Sequence, residues 1–449
     1  MTGVSAHVTR LWKRREGEPD MPTRGAMGSR AALGLTGKAL EALTLVALVI
    51  FLPRLLGSAD FGAFALALSI VLLATSSVAL GGPTLASRFL AAAPAHERTA
   101  LARGLVVRSA KWRLGAVVGG GLIALFVVAA RPELLPAAAV ALVLAAVVLD
   151  VAATLVLQVG LALGAVGPWT FRYPLQNAAL VIGALSLYPP LGRTGALLAI
   201  PVASGASLVL ALASTLPRLR GVPTARQLPQ RLGRFALIQS AAGFLFQGVH
   251  RGGAIAVALL GGTDAEVGFA ALAAGIATAA TYVVWQIYTL ELPRVASQDT
   301  AAAAHSTTRL TRLALSVAAP AALVGVLLCP TVVPALLGRE YEGAVPAIAL
   351  ALAIVPLAPG AAALNQVAAL RMSPGSRLAA VSLGFAAFAV AVLLGVSEHG
   401  AVGAAAALVV GSAVTVAAAA VPVRRMLDPG LTALALVATA VIGGIALLQ

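Results

Sequence analysis

From Arg30 to Gln449 the chain alternates long apolar stretches with short polar connections. A bilayer core about 30 Å thick needs roughly 20 apolar residues in a helix, and most of these stretches have that length. None shows the two-residue alternation of a barrel strand, so each is predicted as a helix that satisfies its own backbone in lipid. The pattern predicts spans over 31–56, 61–90, 113–130, 135–162, 169–189, 194–216, 235–260, 266–292, 313–337, 343–370, 376–396 and 400–422. A thirteenth apolar stretch covers 430–448.

The chain also resembles itself. Leu55-Leu56-Gly57-Ser58-Ala59-Asp60-Phe61-Gly62 has a counterpart in Leu259-Leu260-Gly261-Gly262-Thr263-Asp264-Ala265-Glu266-Val267-Gly268. Both segments precede an Ala-rich span, and six spans separate them. An even number leaves both copies on one side of the membrane, which is the mark of parallel repeats about an axis along the membrane normal. A third echo, Leu336-Leu337-Gly338-Arg339-Glu340-Tyr341-Glu342-Gly343, joins the ninth and tenth spans. Each copy taken alone is also compatible with a generic tight hairpin in which glycine makes the turn. The expected organisation is a basic tail over 1–30, a six-helix bundle over 31–216 and a basic linker over 217–234. A second six-helix bundle covers 235–422, and 423–449 holds a basic turn and the extra apolar helix. The fold class is therefore an all-α polytopic membrane protein, with two parallel six-helix bundles around a central cavity.

Composition supports this picture. The chain is 60% hydrophobic and 10% charged, far from the roughly 25% charged residues of soluble domains. Its formal net charge of +15 does not point to nucleic acid, because the basic residues sit in loops between apolar stretches rather than on a solvated face. With the N-terminus in the cytoplasm, about 24 of the 31 basic residues fall on the cytoplasmic side. Only Arg54, Arg131, Arg193 and Arg339 fall in the opposite loops, which is the positive-inside pattern. A multi-pass protein of the plasma (inner) membrane with a cytoplasmic N-terminus is expected. The first thirty residues lack an apolar h-region and read as a cytoplasmic tail, not a cleaved leader. Cys329 stands alone in an apolar run, and no histidine has a partner at metal-ligand spacing, so neither a metal nor a cofactor is expected. Gly34-Leu35-Thr36-Gly37-Lys38-Ala39 falls short of a phosphate-binding loop, which needs Gly at Ala32 and Ser or Thr at Ala39.

Polar groups inside the spans carry the candidate chemistry, since a midplane charge costs about 2.5–3.5 kcal/mol on insertion scales. In the seventh span Gln239, Gly243, Gln247 and Arg251 recur every four residues and share one face, with His250 beside it. The eighth span repeats the device with Thr278, Tyr282, Gln286 and Thr289, and the first offers Gly34, Lys38 and Glu41. Such faces are unsuited to lipid and predict a hydrated cavity between the halves. Arg251 stands about 16 residues from one end of its span and about nine from the other. Lys38, Gln239, Gln247, Tyr282 and Gln286 complete the candidate substrate site. Glu41 and Asp150 are candidate ion-coupling acids, although Lys38 and Glu41 are also spaced to neutralise each other. Arg172 and Glu291 lie near span ends and have the reach to extend to the interface. The glutamines are equally suited to holding helices together.

The Leu56–Phe64 segment and its span pair resemble the N-terminal signature of Wzx-type polysaccharide flippases. These belong to a superfamily that also holds multidrug-and-toxin extruders and lipid II flippases. Leu337-Gly338-Arg339-Glu340-Tyr341 is similar to a second pattern of that family. The resemblance covers about 31–422 and implies movement of an undecaprenyl-diphosphate-linked oligosaccharide from the cytoplasmic to the outer leaflet. It implies cationic cavity residues that hold the pyrophosphate, a role best filled here by Arg251 and Lys38. It also implies membrane lipids, polysaccharide polymerase and glycosyltransferases as partners. An anionic cargo suits the physics, since moving two negative charges outward gains about 4.6 kcal/mol per 100 mV of inside-negative potential. A cationic drug exporter faces the reverse gradient and needs coupled ions, for which Glu41 and Asp150 are available. A membrane glycosyltransferase or polymerase would need clustered acids or a large Arg-rich outer loop, and the chain has neither.

Overall fold

The computed structural model describes residues 24–77, 95–132, 135, 137–163, 165–219, 232–297, 300–363, 374–423 and 428–449. Among these residues there are helices and turns and no strand. In chain order the helices are α1 (Arg24–Ser77), α2 (Ala95–Ala130), α3 (Ala137–Ala162), α4 (Val166–Leu219), α5 (Leu232–Leu259) and α6 (Asp264–Ser297). They continue with α7 (Thr300–Leu337), α8 (Val345–Leu352), α9 (Pro374–Val423) and α10 (Pro429–Leu447).

Nine segments of the described residues are long and apolar enough to cross a bilayer. Three of them are hairpins in disguise: α1, α4 and α9 each contain one glycine outside helical geometry, Gly57 (φ 71°), Gly192 (φ 55°) and Gly400 (φ 49°). A left-handed backbone is steeply unfavourable for a residue with a Cβ, so glycine lets two helices meet there without a loop. Gly261 (φ 96°) and Gly338 (φ 110°) make the same turn in the other two copies of the Leu-Leu-Gly segment. These five glycines therefore mark connections that the span pattern places on one side, here termed the glycine-turn side.

α5 is absent from the nine apolar segments, because Gln239, Gln247, His250 and Arg251 lower its hydropathy. The thirteenth stretch is a helix, α10, and packs on α7 and α8. Several boundaries differ from the sequence pattern. Residues 24–30, expected in the tail, already belong to α1, and residues 95–112 and 300–312, expected in cytoplasmic connections, are the first turns of α2 and α7. The expected continuous span over 343–370 is broken: a 3₁₀ turn over Arg339–Ala344 leads into α8, and Val355–Leu357 is again 3₁₀. Pro356 explains the second break, since it lacks the N–H that would bond the Leu352 carbonyl. Irregular backbone is tolerated at membrane depth only inside protein, and this segment is buried almost throughout, from Ala344 to Ala363.

The two halves meet through α1, whose arms pack on α4 within the first half and on α5 and α6 of the second. Small residues permit close approach there. A Cβ on Gly62 would sit 1.9 Å from the Asp264 carbonyl oxygen, and one on Gly268 would sit 3.0 Å from the Ser58 carbonyl. The two copies of the internal repeat are thus in direct backbone contact. The perimeter carries exposed Leu43, Leu122, Phe126, Ile182, Val209 and Leu394, as a bilayer-facing surface requires. The molecule is a multi-pass membrane protein.

Candidate functional site

At the junction of the halves, Lys38 on α1 reaches across to α6. Its Nζ donates to Tyr282 Oη at 2.6 Å and to Glu41 Oε2 at 2.7 Å, and it lies 5.1 Å from the Tyr282 ring centroid. The Lys38 side chain is 33% exposed while that of Glu41 is 9% exposed, so the ammonium is the accessible member of the pair. The spacing of Lys38 and Glu41 is realised as an ion pair, and the bridge to Tyr282 adds what spacing could not show.

Polar groups continue from Glu41 into the first half. Thr44 donates to the Leu40 carbonyl, and Asn177 on α4 donates to Thr44 Oγ1 at 3.4 Å. Deeper, Arg172 Nη2 donates to Asp150 Oδ1 at 2.8 Å, and Gln176 Nε2 donates to the same oxygen at 3.1 Å. Arg172, which the sequence places within reach of the interface, is instead buried with its counter-ion. The correction follows from α4 packing against α3, which turns that face of the helix inward. Glu41 also lies within electrostatic reach of Arg172, linking the two pairs.

On α5, Gly243 approaches the Ser76 carbonyl of α1, so its side of the helix is turned toward the first half. Arg251 is half-buried, and its Nε is shielded from solvent with no hydrogen-bond partner among the described residues. Gln239, at the other end of the face, is buried and accepts from Arg377 Nη1 of α9 at 2.7 Å. The span pattern treats Arg377 only as a basic residue near a span end, and its role is invisible there because the partner lies 138 residues away. His250 turns away from this face. Its Nδ1–H donates to the Phe246 carbonyl at 2.9 Å, the ring packs 4.3 Å from that of Phe246, and both line a pocket with Trp285, Ser412 and Thr415. Thr278 Oγ1 is buried without a partner among the described residues, and the side chains of Gln286 and Thr289 lie outside them.

Beside Lys38, an apolar pocket of about 340 Å³ runs between α1, α6, α7 and α8. Leu45, Val49, Ile276, Ala279, Cys329 and Val333 contribute to its wall. Leu45 follows Lys38 by two turns, and Ala279 precedes Tyr282 by one, so the pocket begins where the polar cluster ends. Cys329 is buried in this wall as a packing residue. Among the described residues no group of three or more His, Cys, Asp or Glu could hold a metal ion.

No protein-family model matches the sequence, and a search of curated proteins found no match. Solved structures do share the fold. A structure titled lipid II flippase MurJ, inward closed conformation, aligns with a TM-score of 0.67 over 93% of this chain and 97% of that one, at 10% identity. An inward-facing multidrug resistance MATE family transporter of the MOP superfamily aligns with a TM-score of 0.55 over 90% of this chain and 99% of that one, at 13% identity. A structure of the MATE multidrug transporter DinF-BH aligns with a TM-score of 0.53 over 92% of this chain and 97% of that one, at 16% identity. The chain therefore has the fold of these transporters.

Proposed function

We propose that the protein is a transporter that flips a polyprenyl-diphosphate-linked oligosaccharide from the cytoplasmic to the outer leaflet by alternating access, serving cell-surface polysaccharide synthesis. The observation that carries this reading is Arg251, a half-buried guanidinium about two turns from the glycine-turn end of α5, whose Nε is shielded from solvent with no hydrogen-bond partner among the described residues. An unmade charged hydrogen bond in a buried setting costs more than a neutral one, and a diphosphate would satisfy it with planar, two-point geometry. Lys38, backed by Tyr282, supplies a second cation, and Gln247 a neutral donor. The apolar pocket beside Lys38 suits the aliphatic part of such a cargo. No bond is made or broken in this reading, so the protein is not an enzyme.

The test is the appearance of a polyprenyl-diphosphate glycan in the outer leaflet of reconstituted vesicles. Arg251→Ala should lower the rate by about 10- to 100-fold, the equivalent of one charged hydrogen-bonding group, while Arg251→Lys retains part of it. Full activity in Arg251→Ala at normal protein level would refute the anionic-cargo reading.

A second reading, an ion-coupled antiporter like the multidrug and toxin extruders, is favoured by the buried carboxylates Glu41 and Asp150. The two readings respond differently to driving force. An anionic cargo moves outward faster when the inside is made negative, whereas a cationic drug would need a proton or Na⁺ gradient.

A further inference from the structure

On the glycine-turn side, Arg193 stands one residue after the Gly192 turn and holds two acids at once. Its Nε donates to Asp60 Oδ1 at 2.7 Å and its Nη2 to Asp264 Oδ2 at 3.0 Å. Tyr188 Oη fixes the other oxygen of Asp60 at 3.0 Å. Asp60 and Asp264 are the equivalent acids of the two repeat copies, and Thr263 and Glu266 hold Asp264 in place by capping α6 reciprocally. Arg193 and Asp60 belong to the first half, and Asp264 to the second. The bond to Asp60 lies inside the arginine's own half, and the bond to Asp264 crosses the junction.

Other links on this side cross the same junction. Arg131 donates to the Ala258 and Gly262 carbonyls at 3.0 Å each, at the end of α5 where carbonyls lack helical partners. Ser58 N donates to Glu340 Oε2, Tyr341 Oη donates to the Pro53 carbonyl, and Arg54 Nη2 donates to the Ala335 carbonyl. Of these, only the Arg193–Asp264 link pairs two charged side chains, each about a quarter exposed and so open to water and salt.

We infer that Arg193 is the latch of the outer gate: it keeps Asp60 throughout and releases Asp264 when the halves part on the glycine-turn side. The inference rests on the alternating-access reading and on assigning that side to the outside. Retention of Asp60 leaves the arginine paired while open, so release costs one partly hydrated contact rather than a stranded charge. The backbone contact at Gly62 and Gly268 supplies the tight seam that the latch secures.

The test reads opening rather than transport, which separates its failure from failure of the cargo assignment. In a Cys329→Ala background, Ala254→Cys places a reporter thiol on the α5 face turned to the first half, where the native side chain is 2% exposed. An impermeant thiol reagent is applied from the outside. Arg193→Ala and Asp264→Asn should each speed labelling about fivefold, and the double variant should label no faster than Arg193→Ala alone, because both remove one link. Raising the salt to about 1 M should speed labelling of the parent but not of Arg193→Ala. Elution and thermal midpoint in detergent identify any variant that fails to fold, and Asp264→Asn, which keeps the shape of the side chain, then carries the test. Labelling within twofold of the parent in both single variants, or additive effects in the double, would overturn the latch.

Discussion

Arg172 and Asp150 form an ion pair of 2.8 Å with each side chain only 3% exposed, on helices that the first half packs face to face. Two charges in such a site are tolerated because each is the other's partner. Removing one strands the second, at a cost of about 3–5 kcal/mol. Asp150→Asn should therefore lower the thermal midpoint of the purified protein sharply, while the paired change Asp150→Leu with Arg172→Met recovers most of it. A stable Asp150→Asn whose flux no longer responds to a pH gradient would instead make this acid an ion-coupling group.

Lys38 shares its charge with Glu41 and Tyr282, whereas Arg251 Nε has no partner among the described residues. Lys38→Ala should then reduce cargo movement about two- to fivefold, less than Arg251→Ala. Glu41→Gln, which frees the ammonium, should tighten binding of inorganic pyrophosphate by a similar factor. Vesicle flux checks the first and calorimetric titration in detergent the second, and a Glu41→Gln variant that binds pyrophosphate more weakly would contradict the assignment of Lys38 as an anion contact.

Gly62 leaves no room for a methyl group, since a Cβ there would overlap the Asp264 carbonyl, while Gly119 on α2 has nothing within 4 Å of its Cβ position. Gly62→Ala should destabilise the closed seam by about 1–3 kcal/mol, through overpacking against backbone. Gly119→Ala should be neutral or stabilising by up to about 1 kcal/mol through helix propensity. Thermal midpoints of the two variants, measured side by side, should separate clearly, and equal midpoints would show that the seam yields freely.

The basic-residue asymmetry predicts that the 217–234 linker is cytoplasmic and that the glycine turns face outward. In a Cys329→Ala background, Thr263→Cys should react with an impermeant reagent on intact cells and Thr224→Cys should not. Equal labelling of the two would reverse or abolish the orientation on which the latch assignment depends.

The expected order of spans and the glycine turns were legible along the chain for physical reasons that are local. A bilayer demands a run of about 20 apolar residues, and a loop-free reversal demands a residue without a Cβ. Gly57, Gly261 and Gly338 each follow a Leu-Leu pair in the sequence and each adopts positive φ in the fold. The four-residue recurrence of Gln239, Gly243, Gln247 and Arg251 likewise specified one face, because helical geometry alone puts them there. The break at Pro356 also has a local cause, but whether a proline kinks, ends or interrupts a span depends on what surrounds the freed carbonyl.

Only the tertiary structure decided which charges meet. Arg172 finds Asp150 across 22 residues, Lys38 finds Tyr282 across 244, and Arg193 finds Asp264 across 71. Periodicity determines which side of a helix a residue occupies but not which helix lies opposite, and spans of nearly uniform Ala, Leu and Val offer many neighbours of similar apolar character. The choice among them falls to the few places where glycines admit close approach and where a buried charge requires its opposite. The sequence alone therefore established a multi-pass membrane protein with repeated Leu-Leu-Gly turns and a polar stripe along α5. The packing of α1 against α5 and α6 joined the two halves and brought the acids of the two repeats to one arginine.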